Sequence, residues 1–225
     1  MVNIEIKEIE QEYNVLEAYK TLRTNLQFCG IDKKVIAITS CIAGEGKSTV
    51  ALNLSIALAE TGKKVILVDA DLRKSEMLRR TSVKTDIKGL SFYLSNQSCL
   101  DDVICSTNID NLHIIYSGPV PPNPSELLGS IYFKNMITTL SQSYDYVLID
   151  TPPLGSVIDS VVVAEVSDGS ILVMESETIS YRFAREIKMQ LEKSNCPILG
   201  VILNKVDTSN LRNYGKKYSK YEKYI

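Results

Sequence analysis

Six apolar runs punctuate the chain: Val35–Thr39, Val65–Val68, Leu112–Tyr116, Val147–Ile149, Gly169–Met174 and Ile198–Leu203. They are apolar nearly throughout rather than alternating, which predicts strands buried on both faces of a parallel sheet. Helical patterns lie between them. Val50–Leu58 is rich in helix formers, and Ile179, Phe183, Ile187 and Leu191 recur four residues apart. Strand and helix in alternation predict an α/β fold of three layers, a mostly parallel sheet with helices on both faces. Ahead of the first strand, Val15, Tyr19, Leu22 and Leu26 make one apolar face of a helix over about 10–28. Glu17, Lys20 and Arg23 share a different face, by default a solvated stripe with local ion pairs. The first nine residues read as loose, and residues 72–111 as short helices and loops, with Gly89–Leu94 as packing. Four prolines between Pro119 and Pro124 make a stiff loop, and Ser125 is expected to cap the helix after it.

The chemistry gathers where these runs end. After the first comes Ser40-Cys41-Ile42-Ala43-Gly44-Glu45-Gly46-Lys47-Ser48-Thr49, then a helix. Strand, glycine loop and helix in that order are the setting of a phosphate-binding loop. Its backbone amides and helix N-terminus face an anion, Lys47 reaches the outer phosphates and Ser48 suits Mg²⁺. Ala43, Gly44, Glu45, Gly46, Lys47, Ser48 and Thr49 are therefore the expected nucleotide contacts. The strict pattern has glycine where Cys41 stands. The second run ends in Asp69-Ala70-Asp71 and the fourth in Asp150-Thr151-Pro152-Pro153. Acids at the carboxyl ends of parallel strands sit where open α/β sheets bind ligands. Asp150 fits a Walker B role, holding magnesium or its water. Asp69 and Asp71 are two apart and so expected on one side, where either can meet the metal or accept a proton. The last run leads into Asn204-Lys205-Val206-Asp207, with Asn204 expected to face adenine. The single histidine, His113, lies in a core strand and reads as structural.

Composition adds limits. The chain has 225 residues, 44% of them hydrophobic, which is ample for one domain without disulfide support. A net charge of −2 gives no electrostatic case for nucleic acid. Five scattered cysteines without a CxxC pair point away from metal sites and secreted disulfides and toward a reducing cytosol. There is no signal-peptide pattern at the start and no run of apolar residues long enough to span a bilayer. Residues 211–225 break the pattern. They hold Tyr214, Tyr218, Tyr221 and Tyr224 among basic side chains with few aliphatics. We read 1–210 as one domain and 211–225 as a flexible tail suited to phosphorylation.

In order, Ser40–Thr49, Val65–Lys74, Gly118–Leu128, Tyr144–Pro153 and the terminal tyrosines resemble the motifs of the bacterial tyrosine kinases (BY-kinases) of capsule and exopolysaccharide synthesis, in their stand-alone Gram-positive form. The resemblance implies ATP and Mg²⁺ as cofactors and phosphoryl transfer to the tail tyrosines of neighbouring subunits. With it, Lys47, Asp69, Asp71 and Asp150 are the expected catalytic set and Ser48, Asp71 and Asp150 the expected metal set; Asp69 is the expected group to accept or orient the phenol proton, and spacing leaves Asp69 and Asp71 free to exchange these roles. The resemblance implies a homo-oligomer, up to an octameric ring, built through Glu17, Lys20 and Arg23. It further implies a membrane-anchored activator with a cytoplasmic tail, a cognate tyrosine phosphatase, and a cytoplasmic enzyme recruited to the inner membrane face. The family commonly has proline where Ala43 and Ser75 stand, and arginine where Lys20 stands. Lysine keeps the charge there but loses the planar fork that grips a carboxylate.

Two rivals share parts of this pattern. Partition and cell-division ATPases of the MinD/ParA type have the same paired acids and late asparagine. They also carry a second lysine early in the loop, and Cys41-Ile42-Ala43 has none. An ATP-binding scaffold without phosphoryl transfer leaves the set Lys47, Ser48, Asp69, Asp71 and Asp150 without a purpose.

Overall fold

The computed structural model describes residues 2–6, 13–81 and 87–207. In chain order the elements are β1 (Val2–Ile4), α1 (Tyr13–Phe28), β2 (Val35–Ser40), α2 (Lys47–Ala59), β3 (Val65–Asp69), α3 (Met77–Arg80), α4 (Leu90–Leu94), α5 (Leu100–Val103), β4 (Ile104–Thr107), β5 (Leu112–Ile115), α6 (Pro124–Leu128), α7 (Ile131–Ser143), β6 (Tyr146–Asp150), α8 (Asp159–Ala164), β7 (Gly169–Glu175), α9 (Tyr181–Glu192) and β8 (Ile198–Asn204).

The strands form one sheet in the order β1-β4-β5-β3-β6-β2-β7-β8. Every neighbouring pair is parallel except β4 with β5. The apolar runs explain why both faces are covered. Along β2 and β3, Ile36, Ile38, Val65 and Leu67 enter one core with Val50, Leu54 and Leu58 of α2. Val35, Ala37, Ile66 and Val68 enter the other with Phe133, Met136 and Leu140 of α7. A smaller cluster joins Leu172 to Ile187 and Leu191 of α9. Ser130 and Ser180 cap α7 and α9 by accepting from Phe133 N and Phe183 N. Gly62 turns the chain after α2 at φ 79°, with its N–H on Ala59 O.

The six expected strands are all present. Two more lie together near one edge. Residues 2–4, read as loose, pair in parallel with β4, and Asn108 brackets Ile6 through both backbone groups at 2.8 and 3.1 Å. β4 itself lies in the stretch read as helices and loops. In α1 the expected apolar face holds for Tyr19, Leu22 and Leu26, whereas Val15 is exposed.

Ser125 does not cap α6. Asn123 occupies the cap position and Pro124 the first turn. The Ser125 hydroxyl instead donates to Asp159 Oδ1 at 2.6 Å, and Arg73 reaches the same buried carboxylate with Nε at 2.7 Å and Nη2 at 3.1 Å. Those bonds hold the Asp159 carboxyl below the usual range against its burial, which pushes the other way. The cluster ties the loop after β3 to α6 and α8. Asp159→Ala should cost about 2 kcal/mol, since it removes charge-assisted bonds from a buried site. A shift in the urea midpoint checks this, and an unchanged midpoint refutes it.

Candidate active site

The order β3-β6-β2 at the middle of the sheet brings three chain segments to one edge. Asp69 and Asp150 are register partners at the ends of β3 and β6. The phosphate loop leaves β2 beside them. Gly44 and Gly46 both have φ 91°, a region that disfavours any side chain, and a Cβ on Gly46 would lie 2.3 Å from Asn204 Nδ2. Gly46 is the N-cap of α2 and offers no side-chain cap, so the amides of the first helical turn remain available to an anion.

Lys47 Nζ stands 3.2 Å from Ser48 Oγ, 3.3 Å from Asp150 Oδ1 and 3.4 Å from Asp71 Oδ2. Burial pulls its ammonium toward neutrality, but Asp150, Asp71 and Asp69 outweigh burial and hold its pKa above the ordinary lysine value. Asp150 is pushed up by burial, against the opposing pull of Lys47 and the Ser48 hydroxyl. The three oxygens thus already accommodate a positive charge. They form a hard, oxygen-only donor set of the kind magnesium takes. Among the described residues no three His, Cys, Asp or Glu side chains converge as a metal cage. Few protein carboxylates are what magnesium ordinarily takes, with waters and phosphate oxygens supplying the rest of its ligands.

The two neighbouring aspartates separate. Asp71 lines the cleft, and its Oδ1 accepts from Arg73 N and Lys74 N at 3.3 and 3.0 Å. Asp69, the residue expected to take the proton, is fully buried behind it. Its Oδ2 accepts a short hydrogen bond from the Ser75 hydroxyl and one from Ser117 N at 3.3 Å, and its Oδ1 one from Asp71 N. Burial, with Asp150 alongside, pushes its carboxyl up to about 7. Ser75, where the resembling family has proline, thus supplies a hydrogen bond to Asp69 that a proline could not.

Ala43, Gly44, Gly46, Lys47 and Ser48 line the cleft as expected. Glu45 does not bring its side chain there. Its carboxylate is buried and accepts from Ile42 N at 2.8 Å and Glu175 N at 3.2 Å, so only its backbone is left for a phosphate. The Thr49 hydroxyl accepts from Arg80, and Asn204 Nδ2 donates to Glu45 O at 2.9 Å. Lys74, Glu76, Arg80 and Pro153 also line the cleft and were not foreseen. Glu76 and Arg80 sit at helical spacing and pair at 3.0 Å, the one signal that tied them together in sequence. Away from the cleft, Lys20 pairs with Glu17 at 2.8 Å in solvent, while Arg23 Nη1 donates to Ala57 O at 2.9 Å and binds α1 to α2. Tyr214, Tyr218, Tyr221 and Tyr224 lie outside the described residues. No helix among the described residues is long and apolar enough to cross a membrane.

This geometry has known counterparts. The AAA domain family matches residues 33–196. The tyrosine-protein kinase CpsD of Streptococcus agalactiae is 42% identical over 224 residues, covering 96% of this chain and 98% of that protein. The crystal structure of the chimerical protein CapA2B2 superposes with a TM-score of 0.83 at 34% identity, over 92% of this chain and 95% of that one. The septum site-determining protein MinD of Pyrococcus horikoshii, solved with Mg-ADP, gives a TM-score of 0.65 at 31% identity over 76% of this chain and 69% of that one. The fold is therefore the P-loop NTPase-like fold of these proteins. A cleft built on Lys47, Asp71 and Asp150, together with near full-length similarity to the kinase from Streptococcus agalactiae, places this chain in the family of bacterial tyrosine-protein kinases.

Proposed function

We propose that this chain is an ATP-dependent protein-tyrosine kinase that phosphorylates Tyr214, Tyr218, Tyr221 and Tyr224 on neighbouring copies and so regulates capsular or extracellular polysaccharide synthesis and export. The observation that carries the reading is the buried Lys47 ammonium, poised between Asp71 and Asp150 at the foot of the glycine loop. The loop amides and Lys47 neutralise the β- and γ-phosphates. Ser48, Asp71 and Asp150 would hold Mg²⁺, which when bound supplies positive charge between the phosphate oxygens. The γ-phosphoryl group passes to a tyrosine Oη as its bond to the β-phosphate oxygen breaks. The phenol proton leaves to a carboxylate. Asp71 is the acid that lines the cleft, and Asp69 is fully buried with Oδ2 held by the Ser75 hydroxyl, so we assign the orienting contact with the phenol to Asp71 and a supporting role to Asp69. A phenol near pKa ~10 gives up its proton to a carboxylate only in a strong positive field, so positioning and charge supply most of the rate.

The assembly follows the same resemblance. Glu17 and Lys20 are exposed enough to meet a neighbouring subunit, whereas Arg23 is committed to α2. A homo-oligomer, up to an octameric ring, would present one tail to the next cleft. A membrane-anchored activator with a cytoplasmic tail would bring the enzyme to the inner membrane face, and a cognate phosphatase would reset it.

Intact mass after incubation with Mg-ATP tests the reading, run beside a chain truncated after Asn213 and with the activator's cytoplasmic peptide added. Stepwise gains of single phosphates on the full chain, absent from the truncation, are expected. Phosphate release with no gain in mass would replace the kinase by a MinD-like ATPase, and nucleotide binding with neither product by a scaffold.

A further inference from the structure

The phosphate loop is gripped from outside by the end of β8. Asn204 Nδ2 donates to Glu45 O at 2.9 Å, and Lys205 Nζ donates to Gly44 O at 2.8 Å. The same ammonium pairs with Glu175 Oε2 at 2.8 Å, at the end of β7. Lys205 adopts φ 54°, the left-handed region that lysine seldom occupies, so the surrounding contacts hold it there. The Glu45 carboxylate braces the loop from within through Ile42 N and Glu175 N.

The direction of these bonds matters. In a trans peptide unit the C=O and the following N–H point opposite ways. Holding the Gly44 carbonyl outward turns the Glu45 N–H inward, and holding the Glu45 carbonyl outward turns the Gly46 N–H inward. Those are amides a phosphate loop directs at its anion. We propose that Lys205, seated by Glu175, is a positioning residue for nucleotide binding that fixes the Gly44–Glu45 peptide with its amide toward the phosphates. This deepens the nucleotide-dependent reading above and rests on it. Lys205 is not among the residues that line the cleft. Its side chain is about half exposed (48%), so its replacement leaves the core intact.

The test is titration of the full chain with a fluorescent N-methylanthraniloyl ADP in the presence of magnesium. Lys205→Met should bind roughly tenfold more weakly, the effect of losing one charge-assisted hydrogen bond. Lys205→Arg, which keeps a donor on a long stem, should recover most of the affinity, and Glu175→Gln should fall between. The midpoint of thermal unfolding without nucleotide should stay within about 2 °C of wild type for Lys205→Met. In turnover, KM for ATP should rise with kcat nearly unchanged. Binding by Lys205→Met equal to wild type overturns the proposal. So does a weaker affinity matched by a large fall in the unliganded midpoint, which would make Lys205 a structural residue only. Failure of the wild type itself to bind the probe would overturn the nucleotide reading and the proposal together.

Discussion

Lys47→Met is expected to lower tail phosphorylation by roughly 10²–10³-fold or more, because it removes a preorganised donor from the site of developing charge. It should also destabilise the nucleotide-free protein at pH 8 and much less near pH 5. The second effect follows from burial. Lys47 is the cation set against Asp71 and Asp150, both nearly inaccessible to water, with Asp69 behind them. Removing one member of a buried ion pair leaves uncompensated charge, at a cost of about 3–5 kcal/mol. Without the ammonium, burial raises the Asp69 and Asp150 carboxyl pKa values further above their unfolded values. A carboxyl whose folded pKa is raised binds protons more tightly in the folded state, so stability falls as pH rises through that range and returns as pH falls. Intact mass after Mg-ATP measures the first effect, and unfolding midpoints at pH 5 and pH 8 measure the second. Undiminished phosphorylation would remove Lys47 from the chemistry. A stability loss independent of pH would show that the packing of the side chain, not its charge, supports the site.

The centre of the fold was legible because β2, β3 and β6 are continuous apolar runs that each lead to a functional residue. Their order in the sheet carries Asp69, Asp150 and the loop to one edge, and the motifs mark all three. The edge was not legible. β1 has three residues and β4 only four, half of them polar, so neither carries a periodic signal of its own. They exist because Val2 pairs with Cys105 across a hundred residues, a contact no local window contains. Ser125 shows the same limit. Its hydroxyl answers to Asp159, 34 positions away, rather than to the start of the helix it lies in. The different surroundings of the paired acids were not legible either. Two-residue spacing puts side chains on one side only while the chain stays extended, and β3 ends at Asp69. Asp71 lies past that end and lines the cleft, while Asp69 is buried with its Oδ2 bonded to the Ser75 hydroxyl and Ser117 N. Glu45 and Lys205 were hidden because their roles lie in bonds between the loop and distant strand ends.

In the absence of nucleotide and metal, Asp69→Asn should be more stable than wild type at pH 8 and lose that advantage toward pH 4. Burial, with Asp150 beside it, holds the Asp69 carboxyl near pKa 7 in the folded chain, while an unfolded aspartate titrates near ~3.9. Between those values the folded state binds more protons than the unfolded one, so stability declines as pH rises from about 4 to about 7 and is level above that. At ~1.4 kcal/mol per unit the ionised acid costs up to about 4 kcal/mol at pH 8. Asparagine keeps the shape and a carbonyl oxygen for Ser117 N, and its amide can donate to Ser75 Oγ, so few hydrogen bonds are lost. Urea unfolding at pH 5 and pH 8 measures the difference. A variant weaker than wild type by the same amount at both values would mean that the bonds to the carboxylate outweigh its burial. If the variant is instead stabilised at pH 8 and also loses more than about tenfold in phosphorylation rate, the buried acid is retained at the expense of stability for what it does in the reaction.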